Sequence, residues 1–342
     1  MIPRRHFLAL LGAATTANAL GQEAKIRIGQ IGTRHSHAAG KMEAIRRLDD
    51  LYEVAGLASS DETSAAVYTG LPRMSEEALL ALAGLQAVAI ETKIEAACPT
   101  ALKALRAGKH IHLDKPAAFD HAAFRAMRLE AEQCQLTVQM GYMLRYNPAF
   151  KLLFQAVREG WLGEILEIDA MMGKLASDTI RKSIGELDGG GMFELACHTI
   201  DAVVTILGKP AQVQAFSTPT QSDGVKDNQL AVLVYPKATV TIRCNHADPF
   251  GNPRRRFQVA GTKGAMEIKP LESGEFTLSL TEAHGAWKKG TQSAKLPLPL
   301  GRYDEEFVDL AKVIRKQKHF AWDATHDITV HETILKASGL LT

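Results

Sequence analysis

A lysine that closes a short apolar run, and a glutamate and a histidine four residues apart, are the side chains in this sequence best suited to moving a proton. Lys115 follows His110-Ile111-His112-Leu113-Asp114 and precedes Pro116. Such a run reads as a buried strand, and in an open α/β sheet ligands bind beyond the carboxyl ends of the strands. Pro116 fixes the turn and has no N–H to satisfy. Lys115 is placed there either to hydrogen-bond a bound hydroxyl and steady the charge that develops on it, or as a surface lysine at a strand end. Glu194, His198 and Asp201 follow Gly189-Gly190-Gly191. If 192–207 is one helix, their spacing puts all three on much the same face. A carboxylate, an imidazole and a second carboxylate suit proton transfer from a hydroxyl, one carboxylate orienting the imidazole. The alternative is a buried structural histidine on a helix.

The first predicted strand runs into Gly32-Thr33-Arg34-His35-Ser36-His37. A dinucleotide fold has a glycine turn here, so that backbone amides and a helix N-terminus meet pyrophosphate. Only the first glycine of G-x-G-x-x-G is present, and Arg34 stands at the second. Arg34 either supplies charge to the pyrophosphate or fills the space a cofactor needs; with Gly32 and Thr33 it is expected to lie along the dinucleotide. His35 and His37 either reach the active site or are ordinary loop histidines. Ser59-Ser60-Asp61 occupies the turn after the second strand, where an acidic residue for the ribose is usual. Ser59 leaves room for a 2′-phosphate, but no neighbouring arginine in the sequence marks NADP over NAD.

The elements that must position these residues alternate. Strands are predicted at 25–31, 52–58, 87–90, 109–113 and 137–140, with helices at 36–48, after Ser75, at 95–107 and at 119–133. Glu76 and Glu77 fall in the first turn after Ser75, where the dipole favours negative charge, and Gly108 stops the third helix. This rhythm implies βαβ units and a parallel sheet, a doubly wound Rossmann domain over 25–145. After a crossing helix at 148–159 the rhythm changes. Strands are predicted at 165–171, 212–217, 229–235, 239–245, 257–260, 265–269 and 276–281, broken by one helix at 192–207 and followed by helices at 303–316 and 324–337. With few helices between them they should form an open-faced, largely antiparallel sheet in an α+β domain over 146–342.

The 342 residues hold 46% hydrophobic and 23% charged side chains, ordinary for a globular enzyme of two domains. Lys and Arg total 40 against 38 Asp and Glu, and Arg4 and Arg5 account for the difference. The remainder is neutral, which gives no electrostatic case for nucleic acid or anionic membrane. The run Arg254-Arg255-Arg256 reads either as an exposed strand start or as a phosphate site. Arg4-Arg5-His6-Phe7-Leu8, an apolar stretch to Ala14 and Ala17-Asn18-Ala19 read as a signal peptide over 1–21, resembling the twin-arginine export type. The apolar stretch is too short to span a membrane, so the expected location is exported and periplasmic, without an anchor. Cys98, Cys134, Cys197 and Cys244 are scattered, which argues against a zinc site or disulfide framework and for reduced, buried thiols. No metal ligands are read from the sequence.

Seven segments, in order, carry a resemblance: 28–33; Ala107-Gly108-Lys109-His110; Asp114-Lys115-Pro116; Gly141-Tyr142-Met143-Leu144-Arg145-Tyr146-Asn147-Pro148; Gly160-Trp161-Leu162-Gly163-Glu164-Ile165; the triple-glycine segment ending His198-Thr199-Ile200-Asp201; and Gly261-Thr262-Lys263-Gly264. Over about 25–337 the chain resembles the glucose–fructose oxidoreductase/inositol dehydrogenase/MocA superfamily. The resemblance implies NAD or NADP, a sugar or polyol substrate, and a sheet domain that builds homo-oligomers; because an exported enzyme cannot readily exchange free NAD, the cofactor is expected to stay tightly bound. It places Lys115 and His198 on the family's catalytic lysine and histidine, with Glu194 where the family has Asp. It implies cofactor contacts from Thr92, Asp114, Lys115 and Pro116, and substrate contacts from Tyr142, Arg145, Asn147 and Asp201. The chain departs from the pattern at Thr92-Lys93 (Thr-Pro in the family), Ala97 (His), Asp114 (Glu) and Ala196 (Gly). The expected activity is hydride transfer between a nicotinamide and a substrate hydroxyl carbon. The alternatives are a glycosidase or lyase that oxidises its sugar transiently, and a non-catalytic sugar-binding protein on a degenerate fold.

Overall fold

The computed structural model describes residues 23–61 and 65–342. The signal segment expected at 1–21 lies outside the described residues. In the first half the order is β1 (Ile26–Ile31), α1 (Ala38–Arg47), β2 (Tyr52–Ala58), α2 (Glu76–Leu80), β3 (Ala87–Ile90), α3 (Ile94–Arg106), β4 (His110–Leu113), α4 (His121–Gln133) and β5 (Val138–Met140). The strands pair in parallel in the order β2-β1-β3-β4-β5. The chain turns back between β1 and β3, which leaves a crevice at their carboxyl ends, the ligand position of a doubly wound sheet. Strand β3 is buried throughout because both faces are covered. Ala87 and Ala89 share a cluster with Ile26, Ile45 and Phe307, while Val88 and Ile90 join the main core with Leu105 and Phe124.

The second half runs α5 (Pro148–Arg158), β6 (Ile165–Met171), α6 (Asp178–Gly185), α7 (Gly190–Glu194), α8 (Cys197–Leu207), β7 (Gln212–Thr218), β8 (Asn228–Val234), β9 (Thr239–Asn245), α9 (Gly251–Arg254), β10 (Arg256–Gly261), β11 (Gly264–Ile268), β12 (Glu275–Leu280), β13 (Gly290–Lys295), α10 (Asp304–Ile314) and α11 (Ala324–Ala337). Its eight strands order as β13-β12-β11-β10-β6-β9-β8-β7, antiparallel except for β6 with β9. Alternating burial along β8 and β12 marks one covered and one open face. Helix α10 returns to the first sheet, where Phe307, Leu310 and Ala311 pack and Glu306 meets the buried His112 at 2.8 Å.

Three elements, α6, α9 and β13, were not expected from the sequence. All are short and largely exposed: α9 is a single turn, β13 carries no apolar period, and α6 shows its Ile180–Ile184 spacing over only eight residues. The triple arginine is a structural feature: Arg254, Arg255 and Arg256 pair with Asp248, Glu272 and Asp169. Cys98, Cys197 and Cys244 are buried and Cys134 is exposed, all four as free thiols.

The buried centre of the second half is Arg145, in the turn after β5. Its guanidinium meets Asp201 of α8 and Asp327 of α11, both at 2.7 Å, and lies between the rings of Tyr142 and Trp322 at 4.9 and 4.6 Å. His326 adds a 3.1 Å contact to Asp201. Removing one member of such a group leaves uncompensated buried charge. The variant Arg145→Ala is therefore expected to lose about 3–5 kcal/mol of stability in urea unfolding. A loss below about 1 kcal/mol would show that these carboxylates find other partners.

Candidate active site

Lys115 emerges from β4 with 1% of its surface accessible, and its Nζ donates to the backbone carbonyl of Glu194 at 2.6 Å. The Glu194 carboxylate lies 3.5 Å from the same nitrogen. This contact corrects the expectation of one helix over 192–207. The Glu194 carbonyl, which an uninterrupted helix would offer to the His198 amide, is occupied by the lysine, and the Ala196 amide reaches back to Gly191 in a widened turn. The chain breaks into α7 and α8 there. Glu194 and His198 remain neighbours of Lys115, but not as adjacent rungs of one face.

The electrostatics separate the three groups. Burial works against charge on Lys115, yet Glu194, Cys197 and Asp114 together outweigh it and raise the ammonium above its ordinary range. Burial works against charge on Glu194 too, and Lys115, Lys174 and His246 draw it down to about 2. His198 is pushed well below the usual imidazole range, first by burial, then by Lys115, His37 and Arg302. At neutral pH the site holds a charged lysine, an ionised glutamate and a neutral imidazole. His198 Nδ1 is buried with no hydrogen-bond partner among the described residues, and the ring meets Tyr142 edge-on at 6.1 Å.

The other expected contacts divide. Asp201 does not converge with Glu194 and His198: it is fully buried against Arg145 and His326, on the side of α8 facing α11. Asn147 caps α5, accepting from the amides of Ala149 and Phe150 at 2.9 and 3.4 Å. Tyr142 is the member of that segment beside His198.

At the crevice between β1 and β3, Gly32 has φ +85°, and a Cβ on it would sit 2.8 Å from the Glu91 carbonyl, so the tight turn is intact. The Thr33 and Ser59 hydroxyls hydrogen-bond at 3.0 Å. A cleft of about 440 Å³ is lined by Gly32, Arg34, Ser60, Asp61, Thr92 and Lys93. Arg34 spans it to Asp61 at 2.6 Å, so an arginine does stand beside Ser59 and Ser60, brought from another loop. The amides of Arg34 and His35 both donate to the Glu91 carbonyl at 3.2 Å and so do not point into the cleft. A second cavity of about 330 Å³ adjoins it through Arg34, Thr92 and Lys93 and continues past His35, Pro116 and Lys174 to Glu194.

Between the loop and Lys115 lies a group that the sequence did not reveal. Asp114 Oδ2 is 2.6 Å from His35 Nδ1 and 3.0 Å from His37 Nδ1, and Oδ1 is 3.0 Å from the buried Lys41. Gly141 leaves them room, since a Cβ there would lie 2.8 Å from both Asp114 and Lys41. Burial opposes charge on Asp114, but Lys41 and His35 hold its carboxyl well below the usual range. Lys174 and His246 were also missed. No local motif marks them: His246 follows β9 and reaches the neighbourhood of Glu194 only through sheet packing.

Residues 26–142 match the model of the oxidoreductase family with an NAD-binding Rossmann fold, and residues 150–267 match the GFO/IDH/MocA C-terminal domain. The chain belongs to the GFO/IDH/MocA family. Curated members similar to it include an uncharacterized oxidoreductase of Rhizobium meliloti, 26% identical over 71% of this chain and 74% of that one. A D-xylose 1-dehydrogenase (NADP(+)) of Haloferax volcanii is 27% identical over 64% and 69%. A trans-1,2-dihydrobenzene-1,2-diol dehydrogenase of Bos taurus is 26% identical over 49% of this chain, and the match spans only 50% of that relative. Among solved structures, a levoglucosan dehydrogenase in complex with NADH and levoglucosan superposes with a TM-score of 0.79 at 18% identity, over 92% of this chain and 96% of that one. This last likeness concerns the fold alone. No helix among the described residues is long and apolar enough to cross a membrane.

His246 tests the electrostatic description. Its pKa is lowered to about 4, chiefly by burial, against about 6.5 in an unfolded chain. Between those values the unfolded chain binds a proton that the folded one refuses. The folded state therefore loses stability as pH falls from about 6.5 towards 4, by at most about 1.4 kcal/mol per pH unit for this group. Urea midpoints at pH 7.5, 6 and 5 should fall less steeply for His246→Gln than for the native protein, and parallel slopes would refute the assignment.

Proposed function

We propose that this GFO/IDH/MocA member is an NAD(P)-dependent dehydrogenase acting on a hydroxyl-bearing carbon of a sugar, a polyol or a derivative. The observation that carries the reading is the pairing of a buried, charged Lys115 with a buried, neutral His198. Two neighbouring groups whose surroundings drive them to opposite protonation states are suited to acid–base work. The neutral imidazole is the group able to take the hydroxyl proton. The ammonium, fixed on Glu194, steadies the oxygen as negative charge grows on it. Glu194 keeps Lys115 charged and fixes where it points. The nicotinamide, when bound, supplies the hydride acceptor.

The residues fit a dinucleotide, with a changed division of labour. The crevice at the turning point of the parallel sheet and the left-handed Gly32 suit the adenosine end and the close passage of the chain. Two loop amides are directed to the Glu91 carbonyl, so the Arg34 guanidinium would carry most of the contact with phosphate. Arg34 and Asp61 beside Ser59 and Ser60 suit a 2′-phosphate and ribose hydroxyls respectively, and titration with NAD and NADP decides between them. The sugar-class substrate is supported by the names of the Haloferax relative and the levoglucosan dehydrogenase. We also propose export, on Arg4-Arg5 and Ala17-Asn18-Ala19; an exported enzyme cannot readily exchange free NAD and would keep its cofactor bound.

Mass spectrometry of freshly purified, denatured protein should find a dinucleotide, or added NAD or NADP should raise the melting temperature. Failure of both would end the proposal. Arg34→Ala should weaken dinucleotide binding, since it removes a charged hydrogen-bond donor; tighter binding would show that Arg34 obstructs the cleft. Lys115→Met should keep nucleotide binding and lose about 10²–10⁴-fold in turnover of a sugar or polyol. Turnover equal to that of the native enzyme would remove Lys115 from the chemistry.

A further inference from the structure

We propose that His35, His37 and Asp114 form a binding site for a divalent transition-metal ion at the inner end of the cleft. Their donor atoms lie within 4.8 Å of one another. His35 Nδ1 and His37 Nδ1 stand 2.6 and 3.0 Å from one carboxylate oxygen, Asp114 Oδ2. Ligands around an ion with bonds of about 2.1 Å are separated by about 3 Å, so the three need only small adjustments to share one. The other carboxylate oxygen, Oδ1, is held by the Lys115 amide at 2.7 Å and by Lys41 at 3.0 Å. Asp114 is thereby fixed from behind, with Oδ2 turned to the imidazoles, the arrangement that orients a metal-binding carboxylate.

A second, independent observation is Glu91. Its side chain is fully buried, Oε1 is paired with Lys41 at 3.4 Å, and Oε2, with no hydrogen-bond partner among the described residues, lies 3.9 Å from His35 Nδ1. Glu91 and Asp114 share one ammonium, that of Lys41, while Lys115 answers to Glu194. A cation held by His35 would give the buried Glu91 Oε2 a partner. Two imidazoles with carboxylate oxygen suit zinc, iron(II), manganese, cobalt or nickel rather than magnesium or calcium. The histidines are the accessible members, 16% and 21% exposed, and His35 lines the cavity that runs to Glu194. The free coordination positions therefore face the space a ligand enters, where an ion could hold a ligand oxygen. The loop amides at this point are turned inward to Glu91, so the ion would supply positive charge that the backbone does not.

The inference goes beyond the dehydrogenase reading, because it is tested without nucleotide or substrate. Full-length protein stripped with chelator and titrated with Co²⁺ should take up one equivalent, with a visible d–d absorption band and a raised melting temperature, and Zn²⁺ should displace the colour. His35→Ala and His37→Ala should each weaken Co²⁺ binding at least about tenfold, while His121→Ala, on another face, should bind as the native protein does. Circular dichroism checks that the variants fold, and His37→Gln, which preserves bulk, serves if the alanine variant does not. Absence of binding by native protein at about 1 mM Co²⁺, or unchanged binding by folded His35 and His37 variants, overturns the proposal.

Discussion

The contact between the Lys115 ammonium and Glu194 is the constraint on which the site depends. A lysine at the end of β4, with almost no exposed surface, cannot stay charged without a close partner. Glu194 answers it twice, with a backbone carbonyl and a carboxylate. That carbonyl lies at the break between α7 and α8, and the break sets where α8 begins and where His198 stands. The carboxylate keeps the ammonium charged, and that charge in turn adds to burial in keeping His198 neutral. One contact thus joins the two halves of the molecule, fixes the path of the chain and divides the protonation states.

A second buried ionic group, Lys41 with Glu91 and Asp114, explains why the loop tolerates losing two glycines. Glycines in such a loop let the backbone approach phosphate closely. Here the backbone turns the other way, with two amides on the Glu91 carbonyl, and the side chains of His35 and His37 are gathered onto Asp114. Gly32 keeps its glycine because its would-be Cβ meets backbone, which cannot move aside. Arg34 can replace a glycine because its side chain leaves the turn and crosses to Asp61. The positions that changed are those where a side chain had somewhere to go.

The fold was legible wherever burial imposes a period. Strands 52–58, 87–90, 165–171 and 239–245 and the helix at 324–337 stand where expected, and the parallel and antiparallel sheets separate as their rhythms predicted. The polar edge strand β13 carries no such period, α9 is a single turn and α6 shows its apolar spacing over only eight residues, and all three were missed. At the site, residue types were legible but relations were not. Nothing local to residues 192–207 says that a lysine almost eighty positions earlier will take a helix carbonyl. Nor does the spacing of His35 and His37 reveal that Asp114 lies within 3 Å of both. Such relations are properties of the packed sheet, and only the strand-end position of Lys115 and Asp114 hinted at them.

The case of Asp201 shows how helical spacing misleads inside a core. Counting from His198, Asp201 belongs on nearly the same face, and carboxylate next to imidazole invites a catalytic reading. Helix α8 is buried over most of its length, however, so each of its sides has a neighbour. One side meets Lys115 and Tyr142; the other meets α11 and the turn carrying Arg145. A carboxylate facing that turn is required by the arginine, whose charge two aspartates and two aromatic rings together accommodate. The same group that claims Asp201 for structure holds α8 in place, and with it the ring of His198. The proton-transfer side of the helix is thus positioned by an ionic cluster on its other side that need never touch the substrate.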